Sequence, residues 1–305
     1  MKISVITASL NRKQFIRAAI ESVLAQRFSD FEHWVIDGGS TDGTLDLLEE
    51  YPHLHVLSGS DNGVYDAWNT GISHALGDVI AFLNSDDLYP EGVFEAVADL
   101  FAKSSALVAS GGAEIFQRLD SGKEVLMHRY IDPGRYHLCW RNVTLGLPII
   151  NARFFRRIIF EKIGPFDLRY PVASDRHFLI RSVLGGVNDV STSQLFYRYQ
   201  WHATSLTINA GNASMLRAAA DGLGIIEEIR RTRHLDPAQE AVLSEWWREL
   251  QATNVMTFAV MGNASAAMNS AALSIKKDPK WLLTFLRCGS LAVGRRLRTS
   301  WRAVT

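Results

Sequence analysis

Val79-Ile80-Ala81-Phe82-Leu83-Asn84-Ser85-Asp86-Asp87 is an apolar run that ends abruptly at two adjacent carboxylates. It is short and bounded by Gly77-Asp78 and Leu88-Tyr89-Pro90, which predicts a strand buried on both faces, as in a parallel sheet. Asp86 and Asp87 then sit at the strand's carboxyl end. Open α/β sheets bind ligands there, and two hard oxygen donors suit Mg2+ or Mn2+ carrying a diphosphate. Taken alone, the pair fits a turn before Pro90 equally well, because Asp is a common turn former.

The flanking sequence alternates strands with helices. Residues 3–7 read as a buried strand and 14–26 as a helix with Ile16, Ala19, Ile20 and Val23 on one face. A second strand at 33–36 leads into Asp37-Gly38-Gly39-Ser40-Thr41-Asp42-Gly43-Thr44, a glycine-rich turn that offers Ser40 or Thr41 as the cap of a helix over 45–51. A third strand, 55–57, precedes Asp61-Asn62-Gly63 and a helix over 65–75. This pitch implies a doubly wound, mostly parallel sheet. Beyond Pro90 come a helix to about 102, a strand at 106–110 and a less regular region holding 114–116 and 125–128, whose spacing suggests added antiparallel strands. Residues 154–163 and 176–184 read as helices around Gly164-Pro165-Phe166-Asp167, and 194–199 as the last strand. From about 207 the character changes. Residues 215–233, 237–261 and 264–276 read as helices, the second opened by Asp236-Pro237 with Gln239 three residues past the cap. The expected organisation is an α/β domain over 1–207 and a helical region over 208–305.

A chain of 305 residues, 47% hydrophobic and 21% charged, can bury a sizeable core. Its zero formal net charge conceals an asymmetry: residues 276–305 hold Lys276, Lys277, Lys280, Arg287, Arg295, Arg296, Arg298 and Arg302 against Asp278 alone, so the tail carries +7 and the first 275 residues −7. Trp281, Leu282, Leu283, Phe285, Leu286, Leu291, Val293, Leu297 and Trp301 are interleaved with that charge. Such a mixture suits a helix lying in the headgroup region of an anionic leaflet, where each basic residue contributes ~1 kcal/mol. A helix packed on the domain, or a homo-oligomer contact, fits the same residues; a nucleic-acid partner does not. Two distant cysteines, Cys139 and Cys288, fit a reducing compartment. No apolar segment approaches the ~20 residues that span a bilayer, and the short apolar N-terminus runs straight into Asn11-Arg12-Lys13, as a first strand and not a signal peptide would. These features point to a cytoplasmic protein with any membrane contact made from one side.

Four segments, in order, carry a resemblance: Ser4-Val5-Ile6-Thr7 with Asn11-Arg12; Val35-Ile36 with the turn through Thr44; Asp61-Asn62-Gly63-Val64-Tyr65-Asp66-Ala67-Trp68-Asn69-Thr70-Gly71; and Gly77 through Asp87. Together they resemble the inverting family 2 glycosyltransferases with a GT-A fold, in particular those that build bacterial capsule, exopolysaccharide or lipopolysaccharide. The resemblance spans residues 1–205. It implies a Rossmann-like, mostly parallel central sheet with added antiparallel strands, a nucleotide diphosphate sugar as donor, a glycan or lipid-linked glycan as acceptor, and Mn2+ or Mg2+ as cofactor.

A donor of this kind presents base, ribose, diphosphate and anomeric carbon in a line across the strand ends. The resemblance sets Thr7, Asp37, Gly38, Asp61, Gly63, Asn69 and Asp86 along it, with the glycines admitting close backbone approach. Asp37 and Asp61 also read as plain turn residues beside glycine. Asp87 is the expected metal contact, joined by His202 in Tyr199-Gln200-Trp201-His202-Ala203-Thr204-Ser205, although a lone His beside Trp is more often structural. Asn84 stands where many relatives carry a third carboxylate, which leaves the metal held largely by diphosphate oxygens. Inversion requires a base opposite the leaving group. Asp175 matches the family's base and also reads as a helix N-cap; Ser174 replaces a frequent Glu beside it, and Asp167 is the fallback. Trp68 belongs either to the core or to the nucleotide slot. A nucleotidyltransferase would show a glycine-rich basic loop where Ala8-Ser9-Leu10-Asn11-Arg12 stands, and a nicotinamide dehydrogenase would show Gly-x-Gly-x-x-Gly. A non-catalytic sugar-binding component is a further alternative, kept alive by Asn84 and Ser174.

Overall fold

In the computed structural model, which describes residues 1–202 and 211–288, the apolar runs form β1 (Ile3–Ser9), β2 (Phe31–Asp37), β3 (Leu54–Ser58) and β4 (Val79–Phe82), all parallel and ordered β3-β2-β1-β4. Every residue of β4 is buried, as a strand covered on both faces requires. Helices α1 (Ile16–Leu24), α2 (Thr44–Leu48), α3 (Val64–His74) and α4 (Val93–Ala102) alternate with them. The chain builds outward from β1 to β3 and then returns to the other side of β1, so the loops after β1 and β4 diverge and open a crevice at their carboxyl ends.

The sheet continues past β4 as β7-β5-β6, with β8 on β5: β5 (Val108–Arg118), β6 (Glu124–Tyr130), β7 (Arg153–Arg156) and β8 (Asp189–Trp201). β7 is antiparallel to β4 and β5, β6 is antiparallel to β5, and β8 is parallel to β5. Helices α5 (Trp140–Leu145), α6 (Ile158–Ile163) and α7 (Ser174–Leu184) complete this half. The chain divides into two compact units, Met1–Ile208 and Asn209–Thr305. The second holds α8 (Asn212–Thr232), α9 (Pro237–Val260) and α10 (Ala264–Lys277), and residues 281–288 are also helical. α9 opens on a full capping box, Asp236 accepting from the Gln239 amide and Gln239 from the Asp236 amide. No helix among the described residues is long and apolar enough to cross a membrane. The expected boundary at 207, the residues Ala203, Thr204 and Ser205, and the tail from 289 onward lie outside the described residues.

Several expectations are corrected. Residues 154–156 of the expected helix over 154–163 belong to β7: Phe154 and Phe155 are fully buried and pair with Ala81 and Ile80 of β4, a place that suits aromatic residues in a strand. Only Ile158–Ile163 is helical. β5 runs unbroken through Gly111-Gly112, where two segments were expected. A Cβ at Gly111 would come within 2.1 Å of the Phe196 ring, so these glycines admit a neighbour instead of ending the strand. Neither Ser40 nor Thr41 caps α2; its N-cap is Gly43, in the left-handed region at φ +86°. Trp68 is core, 3% exposed and stacked on Phe82 at 4.5 Å among Phe166 and Tyr65.

Buried Glu32 of β2 fastens the start of the sheet. It accepts from Ser4 Oγ (2.6 Å) and the Leu76 amide (2.7 Å) and pairs with Lys2 Nζ (2.8 Å). Burial alone would raise its pKa, but the bonds from Lys2, Ser4 and Leu76 outweigh that and hold it at about 2. Because the folded-state pKa is the lower one, this stabilisation is present above the unfolded value near 4.5 and is lost as pH falls toward 2. Denaturant titration across pH should show Glu32→Gln less stable at pH 7 by about 3 kcal/mol, with the gap closing at acid pH; a gap independent of pH would refute this linkage.

Candidate active site at the strand ends

The loops after β1 and β2 are laced together. Asn11, at φ +54°, donates its amide to Ser40 Oγ (2.7 Å) and accepts from the Thr41 amide (2.9 Å), while the Arg12 amide donates to Thr44 Oγ1 (3.0 Å). Asp37, 1% exposed, accepts through Oδ1 from the amides of Gly39 (3.0 Å) and Ser40 (2.8 Å) and from Ser58 Oγ (3.0 Å), and through Oδ2 from Ser40 Oγ. It is the organiser of the turn, with its carboxylate turned inward. Asp61 accepts from the Gly63 amide (2.9 Å) and lies against Gly38, where a Cβ would come 3.1 Å from Asp61 Oδ2. Gly63, at φ +105°, is the N-cap of α3. Gly38, Asp61 and Gly63 are thus gathered beyond the ends of β2 and β3.

At the end of β4 the two carboxylates part. Asp87 is 3% exposed; its Oδ2 accepts from Asn84 Nδ2 and Tyr197 Oη, both at 2.9 Å, and its Oδ1 from the Gln200 amide at 2.8 Å. Tyr197 Oη in turn accepts from the Asn84 amide (2.9 Å), and Leu88 and Arg198 exchange two backbone bonds. The 84–88 segment is therefore stapled to β8. Burial, reinforced by the charge of Asp86, pushes the Asp87 carboxyl well above the usual carboxylate range. Asp86 turns outward, its Oδ2 2.9 Å from His202 Nε2, and His202 stacks on Phe15 at 4.3 Å.

Asp175 occupies the first turn of α7, whose N-cap is Ala173, so it is not the cap. Desolvation raises its pKa, partly opposed by the Arg176 amide (2.7 Å to Oδ1), by the charge of Arg176 and by a hydrogen bond from Tyr65. The fallback, Asp167, behaves in the opposite way: burial is outweighed by its bonds from Arg169, and its pKa is lowered. α3 holds this segment in place, through Asn69 Nδ2 to Phe166 O and the Phe166 amide to Asn69 Oδ1, both 2.9 Å, and Tyr65 Oη to Val172 O (3.2 Å). Partly buried Tyr199 lies on the same face of β8 as Tyr197. Its phenol pKa is raised first by burial and then by the charges of both Asp87 and Asp175, and its Oη donates to Asn151 Oδ1 (3.3 Å).

The family model for glycosyl transferase family 2 matches residues 4–164. The chain belongs to that family. It is 34% identical over 189 residues to an uncharacterized glycosyltransferase of Mycobacterium tuberculosis (strain H37Rv), which covers 60% of this chain and 69% of that protein. It is 33% identical over 183 residues to a PGL/p-HBAD biosynthesis glycosyltransferase of Mycobacterium bovis (strain BCG), covering 58% and 68%. Among solved structures, S. aureus TarS 1-349 in complex with UDP-GlcNAc superposes at TM-score 0.60 and 16% identity over 88% of this chain and 90% of that one. The mannosyltransferase PcManGT from Pyrobaculum calidifontis, in complex with GDP-Man and Mn2+, does so at TM-score 0.61 and 18% identity over 97% and 82%. The fold is GT-A: a mostly parallel sheet with added antiparallel strands, followed by C-terminal helices.

Within this family 2 glycosyltransferase, several side chains expected at the donor or metal have protein partners of their own. Thr7 is fully buried, its Oγ1 2.9 Å from His33 Nε2 inside the sheet, so its side chain does not face a donor. Asn69 spends both amide atoms on Phe166 and is a clamp between α3 and the segment leading to Asp175. His202 meets Asp86 and not Asp87, because Asp87 is drawn inward by Tyr197 and the Gln200 amide. A mostly buried carboxylate beside an imidazole, with side chains 17% and 12% exposed, is a donor set that fits Mn2+ or Mg2+ whose remaining ligands come from a diphosphate. Tyr65, Asn151, Tyr197 and Tyr199 are additions from the structure; the one sequence sign was the Tyr-x-Tyr alternation that puts Tyr197 and Tyr199 on one face of β8.

Asp87→Ala strips the acceptor from three donors, one of them the buried Tyr197 hydroxyl, and denaturant titration should show a loss of about 2–4 kcal/mol, with a smaller loss for Asp86→Ala. Equal stability of Asp87→Ala and wild type would contradict the structural role given to Asp87.

Proposed function

We propose that the chain is a metal-dependent, inverting glycosyltransferase that moves a sugar from a nucleotide diphosphate donor to a glycan or lipid-linked glycan in cell-surface polysaccharide synthesis. The observation that carries this reading is the end of β4 in a chain of glycosyl transferase family 2, where Asp87 is held inward by Asn84, Tyr197 and the Gln200 amide and Asp86 faces outward against His202. Gly38, Asp61 and Gly63 line the nucleotide end of the donor, and Asp37 serves it by holding their turn in shape. Asp86 and His202 would hold Mn2+ or Mg2+, which when bound offsets the charge that builds on the departing diphosphate.

Asp175 accepts the acceptor hydroxyl's proton as its oxygen attacks the anomeric carbon. The bond from that carbon to the diphosphate oxygen breaks, its electron pair leaves with the nucleotide diphosphate, and a single displacement inverts the centre. A desolvated carboxylate with a raised pKa is a stronger base than Asp167, whose bonds to Arg169 hold it low.

The proposed location is the cytoplasmic face of a membrane. Supporting this, Leu282, Leu283 and Leu286 are 47%, 71% and 60% exposed, while Trp281, 1% exposed, faces inward, and exposed Lys276 and Lys280 flank them. Cation and apolar surface together match an anionic lipid leaflet.

Three results are expected. Asp175→Asn lowers transfer by about 10²–10⁴-fold while nucleotide-sugar binding, read as a melting-temperature shift, is retained. Since the base must be ionised, kcat/KM falls as pH drops through the raised Asp175 pKa, and Tyr65→Phe, which removes a bond favouring the ionised form, moves that limb to higher pH; full activity of Asp175→Asn would exclude it as the base. In flotation assays the protein follows vesicles containing phosphatidylglycerol and not pure phosphatidylcholine, and Leu282→Asp with Leu283→Asp abolishes this; flotation unchanged by that pair would refute the contact.

A further inference from the structure

A cavity of about 370 Å³ lies between the end of β6 and α5, bounded by Tyr130, Arg135, Arg141, Leu145, Leu147 and Ile149. Both proposed halves of the active site are tied to its walls. On one side the guanidinium of Arg176, the residue after Asp175, donates to the carbonyls of Val143 (3.0 Å), Thr144 (2.6 Å) and Gly146 (2.9 Å), fixing the end of α5. On the other, Ile149 is held at φ +40°, a costly conformation for a β-branched residue. Two residues on, Asn151 donates to Asn84 Oδ1 (3.3 Å) and accepts from Tyr199 Oη (3.3 Å). The cavity wall thus connects at one end to the base and at the other to the β4 motif.

Its lining has a mixed chemistry. Arg135, which also pairs with Asp132 at 3.7 Å, and Arg141 are the charged residues among those that bound it, and no carboxylate lines it. Leu145, Leu147 and Ile149 supply an apolar wall, and Leu147, 53% exposed, carries that surface out toward solvent, as does Ile131, 44% exposed, next to Tyr130. Guanidinium groups match phosphate oxygens by charge and by paired donors, whereas a neutral glycan would need neither the two arginines nor the apolar lip.

We infer that this cavity is the acceptor subsite and that it takes an amphiphilic phosphate ester: the phosphate lies between Arg135 and Arg141 and the start of an apolar chain lies along Leu145, Leu147 and Ile149. This rests on the transferase reading above and narrows its acceptor to the lipid-linked class. The sugar attached to that phosphate then presents its hydroxyl toward Asp175.

The test is calorimetric titration of the full chain, without donor or metal, with farnesyl phosphate, farnesol and inorganic phosphate. Farnesyl phosphate should bind at least tenfold more tightly than either of the others. Arg135→Glu combined with Arg141→Glu should weaken it at least tenfold, and so should Leu147→Asp, a substitution at a half-exposed position that leaves the melting temperature unchanged. Asp175→Asn should bind it like wild type. Absence of binding, equal binding of inorganic phosphate or of farnesol, or affinity unaltered in both cavity variants would each overturn the assignment. Binding as expected in a protein with no transfer activity toward any sugar donor would instead fault the transferase reading.

Discussion

Burial of one carboxylate at the end of β4 is the constraint on which the rest of the site depends. Asp87 has almost no contact with water, and three donors, Asn84 Nδ2, Tyr197 Oη and the Gln200 amide, compensate for its lost hydration. Two of them come from β8, more than a hundred residues away in sequence, so the bonds that satisfy the carboxylate also lock the parallel half of the sheet to the antiparallel half. With Asp87 turned inward, its neighbour Asp86, in the turn that follows β4, is left facing outward. Asp86 meets His202 as a consequence.

A second set of bonds, from α3, serves the opposite side. Gly71 lets the helix press onto β1, where a Cβ would come within 2.4 Å of Ile6, and from that fixed position Asn69 and Tyr65 hold Phe166 and Val172. The helix that follows the Asp61-Asn62-Gly63 turn is therefore also the support of the segment that delivers Asp175. Under the proposed roles, donor side and base side share one helix, a rigid support of the kind that catalytic positioning needs.

Much of the fold was legible because its signals are local. The fully apolar β4, the alternation of strands with helices up to residue 102, and the capping box at Asp236 each follow from residues within a few positions of one another. What was not legible depends on distant partners. Phe154-Phe155 is consistent with helix or strand until β4 and β5 are known to flank it. Gly111-Gly112 looks like a break until Phe196 is found against it. The same holds for the site. The resemblance set Gly38, Asp61 and Gly63 near one another, and their turns do gather beyond the ends of β2 and β3, but the partners of Thr7 and Asn69, His33 and Phe166, lie 26 and 97 residues away. The inward turn of Asp87 was set by Tyr197. No local pattern in β4 distinguishes the two adjacent aspartates.

The proposal that Asp86, after β4, and His202, after β8, form the metal-diphosphate centre while Asp87 stays structural is put to the test by the anomalous signal of Mn2+ in crystals soaked with Mn2+ and uridine or guanosine diphosphate. One peak in contact with Asp86 and His202 is expected, lost in His202→Ala combined with Asp86→Ala. A peak coordinated by Asp87 without either of them, or manganese and diphosphate bound away from the ends of β1 and β4, would contradict it.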